Sequence, residues 1–126
     1  MLEENKNNEI SVSKKSNGIS IEDFKKIEMT VGEILSAEKI PDTDKLLKLS
    51  VDLGEENPRQ IVSGISLYFP DCSVLVGKKC MFVANLEPRI IRGIESNGMI
   101  MAVSTEDGKF SLLEPNGDIP VGTKAR

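Results

Sequence analysis

The segment LKLSVDL at residues 47–53 alternates apolar and polar side chains along its whole length, and this period of two constrains the fold most strongly. Its apolar residues would share one face of a strand: Leu47, Leu49, Val51 and Leu53. Lysine, serine and aspartate would then occupy the opposite face. The segment therefore predicts a β-strand with one face against a core and the other in water.

Four further segments have strand character. MTVGEILSAEK precedes the alternating segment, and its phase slips at Glu33 and Ile34 just after Gly32, which predicts a β-bulge in a curved strand. RQIVSGI, CMFVANL and GMIMAVS follow as strands three to five, and CMFVANL is predicted to be central because both of its faces, Phe82 included, are apolar.

Short helical pieces flank these strands. Ser20, followed by acidic residues, predicts the capped start of a short helix. SLYF predicts one helical turn between strands three and four. Short strands separated by Gly, Pro and Asp turns, with a helical insert after the third, favour a small barrel over a sandwich. We therefore predict an all-β fold: a five-stranded OB-fold barrel with a short N-terminal helix and a C-terminal extension.

The domain boundary is predicted from composition. Residues 1–18 are rich in Asn, Ser, Lys and Glu and are predicted to be a flexible polar tail. Residues 19–126 are predicted to form one OB-fold domain, since 39% of the 126 residues are hydrophobic and can supply a core. No apolar run reaches the roughly 20 residues of a membrane span, and the start does not resemble a signal peptide. We therefore expect a cytoplasmic protein without a membrane partner.

The chain offers no obvious catalyst. It contains no histidine, which excludes Ser-His-Asp and Cys-His nucleophiles and imidazole metal sites. Asp42 and Asp44 form a close carboxylate pair, but this spacing before a lysine is more typical of a solvated turn. Cys80, in the apolar run CMFVA, is predicted to be a reduced core thiol, although a disulfide with Cys72 stays open for an oxidising compartment. We predict no catalytic residue, no metal site and no cofactor.

The charge distribution leaves nucleic-acid binding open. The net charge of −4 disfavours a generic nucleic-acid binder. Between residues 77 and 93, however, four basic residues face the single acid Glu87; these are Lys78, Lys79, Arg89 and Arg92. Such a run indicates either a local binding face or charges that keep strand edges solvated. Few aromatic residues are available for stacking, so any RNA would be bound through its backbone and shape.

The segment IIRGIESNGMIMA at residues 90–102 interrupts an apolar run with two glycines and several polar residues. It is either an ordinary turn between core strands or a turn that presents Arg92, Ser96 and Met99 to a partner. Glycines there would turn the chain between strands four and five.

Several motifs occur in order between about residues 19 and 124: DKLL-x-L-x-VD-x-G, IVSGI, VANL-x-P and RG-x-x-S-x-GM. Together they resemble the tRNA-binding domain family. This family includes the C-terminal module or beta subunit of methionyl-tRNA synthetase, free-standing tRNA-binding proteins and EMAP-II-like modules. The resemblance implies an OB-fold, a homodimer in many free-standing members, and binding to the outer corner of tRNA with little sequence preference.

Carried over by position, the resemblance implies an RNA-binding surface with Asn85, Arg92, Ser96 and Met99, and with Arg59 and Ser63 nearby. Lys78 and Arg89 of the basic segment complete the predicted set. Asn85 could instead stabilise a turn, and Met99 could instead be a core residue.

One departure from the family pattern concerns VANLEPRI, where many relatives have lysine. Glu87 is expected either to lower RNA affinity or to shift the positive charge onto Arg89.

The sequence thus predicts a non-catalytic tRNA-binding module that forms a homodimer and raises the concentration of tRNA near a synthetase. The catalytic chain of methionyl-tRNA synthetase is a further expected partner. The dimer is expected to cover apolar residues around Phe24 and the segment containing Phe110, Leu112 and Leu113. The alternative is a chaperone-like or protein-interaction dimer with weak RNA binding.

Overall fold

A computed structural model of the protein describes residues 17–126. The tail predicted for residues 1–18 lies outside this range except for its last two residues. A short helix, α1 (Ile21–Phe24), opens the fold, and the Ser20 hydroxyl oxygen accepts a hydrogen bond from the Asp23 amide at 3.0 Å. The predicted N-terminal cap is therefore confirmed.

The remaining elements are strands and two 3₁₀ turns. The strands are β1 (Met29–Lys39), β2 (Leu47–Asp52), β3 (Arg59–Ser63), β4 (Lys79–Val83), β5 (Arg89–Ile91), β6 (Ile94–Ser96), β7 (Met99–Ile100), β8 (Ala102–Ser104) and β9 (Phe110–Leu112). Five of them form an antiparallel sheet in the order β3-β2-β1-β4-β7, and β5-β6 and β8-β9 are separate hairpins. The 3₁₀ turn Ser66–Tyr68 follows β3, as predicted for SLYF, and a second 3₁₀ turn, Cys72–Leu75, was not predicted.

Strand β1 is the long curved strand of the barrel. Its first half pairs with β4 and its second half with β2, and the register shifts between Ile34 and Ser36. The predicted bulge is confirmed, but it lies just after the phase change in the sequence. Gly32 serves a different purpose, because a Cβ there would lie within 3.0 Å of side chains of Leu53, Val51 and Phe82. A glycine is needed at this position because the core leaves no room for a methyl group.

The two edges of the sheet meet where β3 faces the turn between β6 and β7. The Asn97 amide donates to the Gln60 carbonyl at 2.8 Å, and the Val62 amide donates to the Ser96 hydroxyl oxygen at 2.9 Å. These two bonds nearly close the sheet into a barrel. The predicted all-β OB-type barrel, with a short helix and additional C-terminal strands, is confirmed.

The barrel interior contains the side chains predicted from the alternating segment. Leu47, Leu49 and Val51 are fully buried, together with Phe82 and Cys80. Both cysteines are free thiols, so the disulfide between Cys72 and Cys80 that the sequence left open is not formed. Burial raises the pKa of the Cys80 thiol to about 11, which keeps it protonated at neutral pH.

The predicted fifth strand is divided into two. The Met101 amide donates to the Met81 carbonyl of β4, and the Met101 carbonyl accepts from the amide of Leu113, which follows β9. At Met101 the chain therefore changes its hydrogen-bonding partner from β4 to β9. The hairpin β8-β9 thereby packs onto the barrel and buries Leu112, of which 6% is exposed. The expectation that Leu112 needs cover from a second copy is wrong, because its own barrel covers it.

The C-terminal extension runs along β1. The Val31 amide donates to Thr123 and the Gly122 amide donates to Val31, both at 2.8 Å. Gly122 also lies against Gly54, where a Cβ would come within 3.0 Å of the Gly122 Cα. Within residues 17–126, no helix is long and apolar enough to cross a membrane.

Gly32→Ala should destabilise the domain by about 1–3 kcal/mol, since a methyl group would overpack three core side chains. Urea denaturation monitored by circular dichroism would measure the loss of stability. Gly64→Ala is the matched control, because a Cβ there meets nothing within 4 Å and the backbone is not left-handed. The free energy of unfolding of this control should equal that of the wild type or exceed it by up to about 1 kcal/mol. Equal midpoints for wild type and Gly32→Ala would contradict the packing described.

Candidate functional site

The hairpin β5-β6 is built around a two-residue turn. Ile91 and Ile94 pair across it, and the intervening Arg92 and Gly93 have φ angles of +55° and +79°. Positive φ at both central positions is the pattern of a type I′ turn, which matches the twist of the strands. The predicted turn within residues 90–102 thus lies at the tip of a projecting hairpin, which we call the arm (residues 89–96).

Arg92 occupies a backbone position that suits asparagine or glycine. A left-handed conformation costs a residue with a Cβ roughly 1 kcal/mol or more. The Arg92 side chain is exposed and makes no hydrogen bond or ion pair with any residue of the described range, and the same holds for Arg89. The arm therefore presents two uncompensated cations, one of them held in a costly conformation.

Ser96 lies at the base of the arm and faces the interior. Only 1% of it is exposed, and its hydroxyl accepts from the Val62 amide and donates to the Gly98 carbonyl at 3.2 Å. The observed contacts of this hydroxyl anchor the arm to β3. A direct contact between Ser96 and RNA stays a prediction.

Asn85 joins the loop before the arm to the segment before β1. Its Oδ1 accepts from the Glu28 amide at 2.8 Å, and its Nδ2 donates to the Lys26 carbonyl. These bonds match the turn-stabilising alternative recognised in the sequence. An RNA contact by the same side chain stays a prediction.

Arg59 is the first residue of β3, and all three nitrogens of its guanidinium group donate hydrogen bonds. Its Nε and Nη2 donate to the two carboxylate oxygens of Glu55 at 2.9 and 2.7 Å, and its Nη1 donates to the carbonyls of Ala84 and Asn97. The hydrogen bond from Arg59 lowers the pKa of Glu55, and the pKa of Arg59 is raised by the same bond. Both groups are therefore ionised at neutral pH. The contribution of this pair to stability is lost only when the pH falls through the lowered pKa of Glu55.

An open cleft of about 740 Å³ lies beside the arm. It is lined by Pro58, Arg59, Gln60, Ala84, Asn85, Leu86, Glu87, Glu95 and Asn97. The carboxylates of Glu87 and Glu95 have no ion pair among residues 17–126. Because Glu55 compensates the charge of Arg59, the cleft has a surplus of negative charge.

The other predicted residues are spread over the barrel. Met99 is 41% exposed and pairs with Val83, so it is not a core residue. Ser63 is half-buried at the end of β3, opposite Leu47. Lys78 lines a second cleft with Tyr68 and Phe110 and lies 3.7 Å from a carboxylate oxygen of Glu114.

The basic run in the sequence is therefore not one uncompensated surface. Lys79 bonds to Asp118 at 3.2 Å, and Lys78 is paired as well, whereas Arg89 and Arg92 have no partner among residues 17–126. Sequence reasoning missed Glu55, Gln60 and Asn97. Glu55 precedes Arg59 by four positions, but in a turn this spacing gives no reliable signal of contact.

Among residues 17–126, no three acidic or cysteine side chains are grouped to hold a metal.

Comparisons with known proteins agree on one family. The family model described as "Putative tRNA binding domain" matches residues 29–124. Methionine–tRNA ligase of Methanocaldococcus jannaschii is 46% identical over 125 residues, which cover 99% of this chain and 19% of that enzyme. The chain thus spans about a fifth of the length of this relative.

Solved structures include complete chains of similar size. A MetRS related protein from Pyrococcus horikoshii has a TM-score of 0.80 and 41% identity, covering 88% of this chain and 100% of the other. The chaperone CsaA from Bacillus anthracis str. Ames has a TM-score of 0.76 and 28% identity, covering 86% of this chain and 99% of the other. With a model match over most of its length and a similar solved chain covered completely, the protein belongs to the tRNA-binding domain family.

Proposed function

We propose that this chain is a non-catalytic module that binds tRNA by its shape, with little preference for sequence. The observation that carries the proposal is Arg92, a cation in a left-handed conformation at the tip of the arm with no partner in the described part of the chain, in a member of this family. An unfavourable backbone conformation that persists at an exposed position points to a functional role for the side chain.

The arm would bind the sugar-phosphate backbone. Arg92 presents a planar fork of donors to a phosphate, and Arg89 supplies a second positive charge from the same hairpin. Met99, being exposed and flexible, would pack on a ribose or base. Asn85, Ser63, Ser96 and Lys78 remain proposed members of the wider surface. Glu87 and Glu95 repel phosphates, which favours moderate affinity.

The relatives suggest where such binding would be used. In methionine–tRNA ligases the matching segment is a small part of a long chain. A tRNA-binding module attached to, or associated with, a synthetase catalytic chain would raise the effective concentration of tRNA at that enzyme. We propose this role, in the cytoplasm.

A homodimer is also proposed. The N-terminal helix and its flanks expose Ile19, Ile21, Phe24 and Ile27, with exposed fractions of 38–68%. Adjacent exposed apolar residues of this kind are typical of an interaction surface. The proposed interface excludes Leu112, which is buried in its own barrel, and Phe110 stacks on Tyr68 with the ring centroids 3.9 Å apart.

A chaperone-like module is the second candidate. It is favoured by the similarity to chaperone CsaA and by the net charge of −4. The two candidates differ in salt dependence, because apolar protein contacts do not weaken as salt rises.

Affinity for tRNA should fall roughly ten-fold between 50 and 200 mM salt, as expected when about two phosphates are neutralised. Unrelated tRNAs should bind within about three-fold of one another, since phosphate contacts carry no sequence information. Fluorescence anisotropy with two labelled tRNAs over a salt series would measure both. Salt-independent binding, or strong selection of one tRNA, would contradict the proposal.

Arg92→Ala should weaken tRNA binding about ten-fold, the loss expected for one charge-assisted contact of about 1.5 kcal/mol. Arg92→Lys should recover part of the affinity, because it keeps the charge and loses the fork. Arg92→Asn should weaken binding and yet stabilise the fold by about 0.5–1 kcal/mol, since asparagine suits this turn.

The control for this series is Lys109→Ala, which removes an equal charge from an exposed position outside the arm. It should bind as wild type does. If Arg92→Ala binds normally, or if it unfolds the domain, Arg92 is a structural residue and not a contact.

Sedimentation equilibrium at micromolar concentration should show a dimer, and Phe24→Lys should shift it to monomer by placing a charge in the apolar surface. Leu67→Lys, at a position 64% exposed outside that surface, is the matched control and should stay dimeric. A wild-type protein that sediments only as monomer would refute the dimer.

A further inference from the structure

We propose that Arg59 and Glu55 are positioning residues that clamp the arm, and that Arg59 does not contact phosphate. The inference rests on the proposed function, since the arm is taken as the surface that binds tRNA. It assigns a role to Glu55, an acid that would otherwise only repel RNA, and reassigns Arg59, which the resemblance had placed among the contacts.

The clamp follows from where the two carbonyls lie in the chain. Ala84 precedes the arm and Asn97 follows it, and the Nη1 of Arg59 donates to both carbonyls. The chain leaves the barrel after Ala84 and returns at Asn97, so one guanidinium group joins the two points between which the arm projects. Its base is also held by the bond between the Asn97 amide and Gln60.

Glu55 fixes the orientation of that guanidinium group. Its carboxylate accepts from Nε and Nη2 in a two-point arrangement, which leaves Nη1 directed at the carbonyls. Four hydrogen bonds thus occupy a group with five N–H donors.

The same contacts make Arg59 a poor phosphate ligand. Its charge is compensated by Glu55, whose pKa is lowered, and its side chain is only 26% exposed. A phosphate would have to displace a carboxylate and break the clamp. Arg89 and Arg92 face no such competition within the part of the chain that the structure describes.

The decisive experiment compares two neighbouring acids by fluorescence anisotropy with a labelled tRNA. Removing an acid near an RNA surface ordinarily strengthens binding, because repulsion is reduced. Glu55→Gln should instead weaken binding by about three-fold or more, since the arm spends less time in its binding position. Glu56→Gln removes the same charge one residue away, where no described residue pairs with it, and should bind as wild type or slightly tighter.

The salt dependence separates positioning from contact. A smaller population of the competent arm lowers affinity equally at every salt concentration, so Glu55→Gln and Arg59→Gln should keep the wild-type slope of log affinity against log salt. Arg92→Ala should reduce that slope by roughly 0.7–0.9, because one phosphate contact is lost. Circular dichroism melts of each variant would check that the barrel stays folded.

Two results would overturn the inference while leaving the proposed function intact. One is tighter binding by Glu55→Gln than by Glu56→Gln, as expected if release of Arg59 frees it for phosphate. The other is a reduced salt slope for Arg59→Gln that matches that of Arg92→Ala. A wild-type chain that fails to bind tRNA would instead refute the proposed function, and with it the clamp.

Discussion

The barrel depends on the hydrogen bonding of one strand, β1, to two different neighbours. Its first residues pair with β4 and its last residues with β2, and the register shift between Ile34 and Ser36 lets the strand bend between them. A bulge increases local twist and bends its strand, which is what a small closed barrel requires. Gly32 lies just before this shift, at a position where core side chains fill the space that a Cβ would occupy. Closure of the barrel brings β3 to the turn after β6, where Asn97 bonds to Gln60 and Ser96 bonds to Val62.

In the arm, the residues that stabilise the fold differ from those proposed to bind RNA. Its base is fixed by buried or compensated groups, namely Ser96 bonded to β3 and Arg59 held by Glu55. Its tip carries Arg92 in a conformation that costs free energy and has no partner among the described residues. In the proposed function, the rigid base limits the entropy lost on binding, and the tip supplies the charge.

The charges near the arm explain how a chain of net charge −4 is compatible with RNA binding. Coulombic effects are screened over about 8 Å at physiological salt, so distant acids matter little. The cleft beside the arm nevertheless contains Glu87 and Glu95 without cationic partners in the described range. Under the proposed function, phosphates would contact the tip of the arm at Arg92 and avoid the cleft, whose lining then serves mainly as support.

The sequence by itself determined the first four strands of the barrel sheet, from β1 to β4, and the family. Local alternation at residues 47–53, the cap at Ser20 and the buried thiol of Cys80 depend on neighbours in the chain, and all were predictable. Arg92 was recognised through its motif, although its left-handed conformation was not. Tertiary structure alone decided which charges are free. Lys78 and Glu114 are paired, as are Lys79 and Asp118, because folding joins segments far apart in the chain. The clamp of Arg59 on Ala84 and Asn97 has the same origin: barrel closure creates these contacts between remote carbonyls, and backbone carbonyls leave no mark in a sequence.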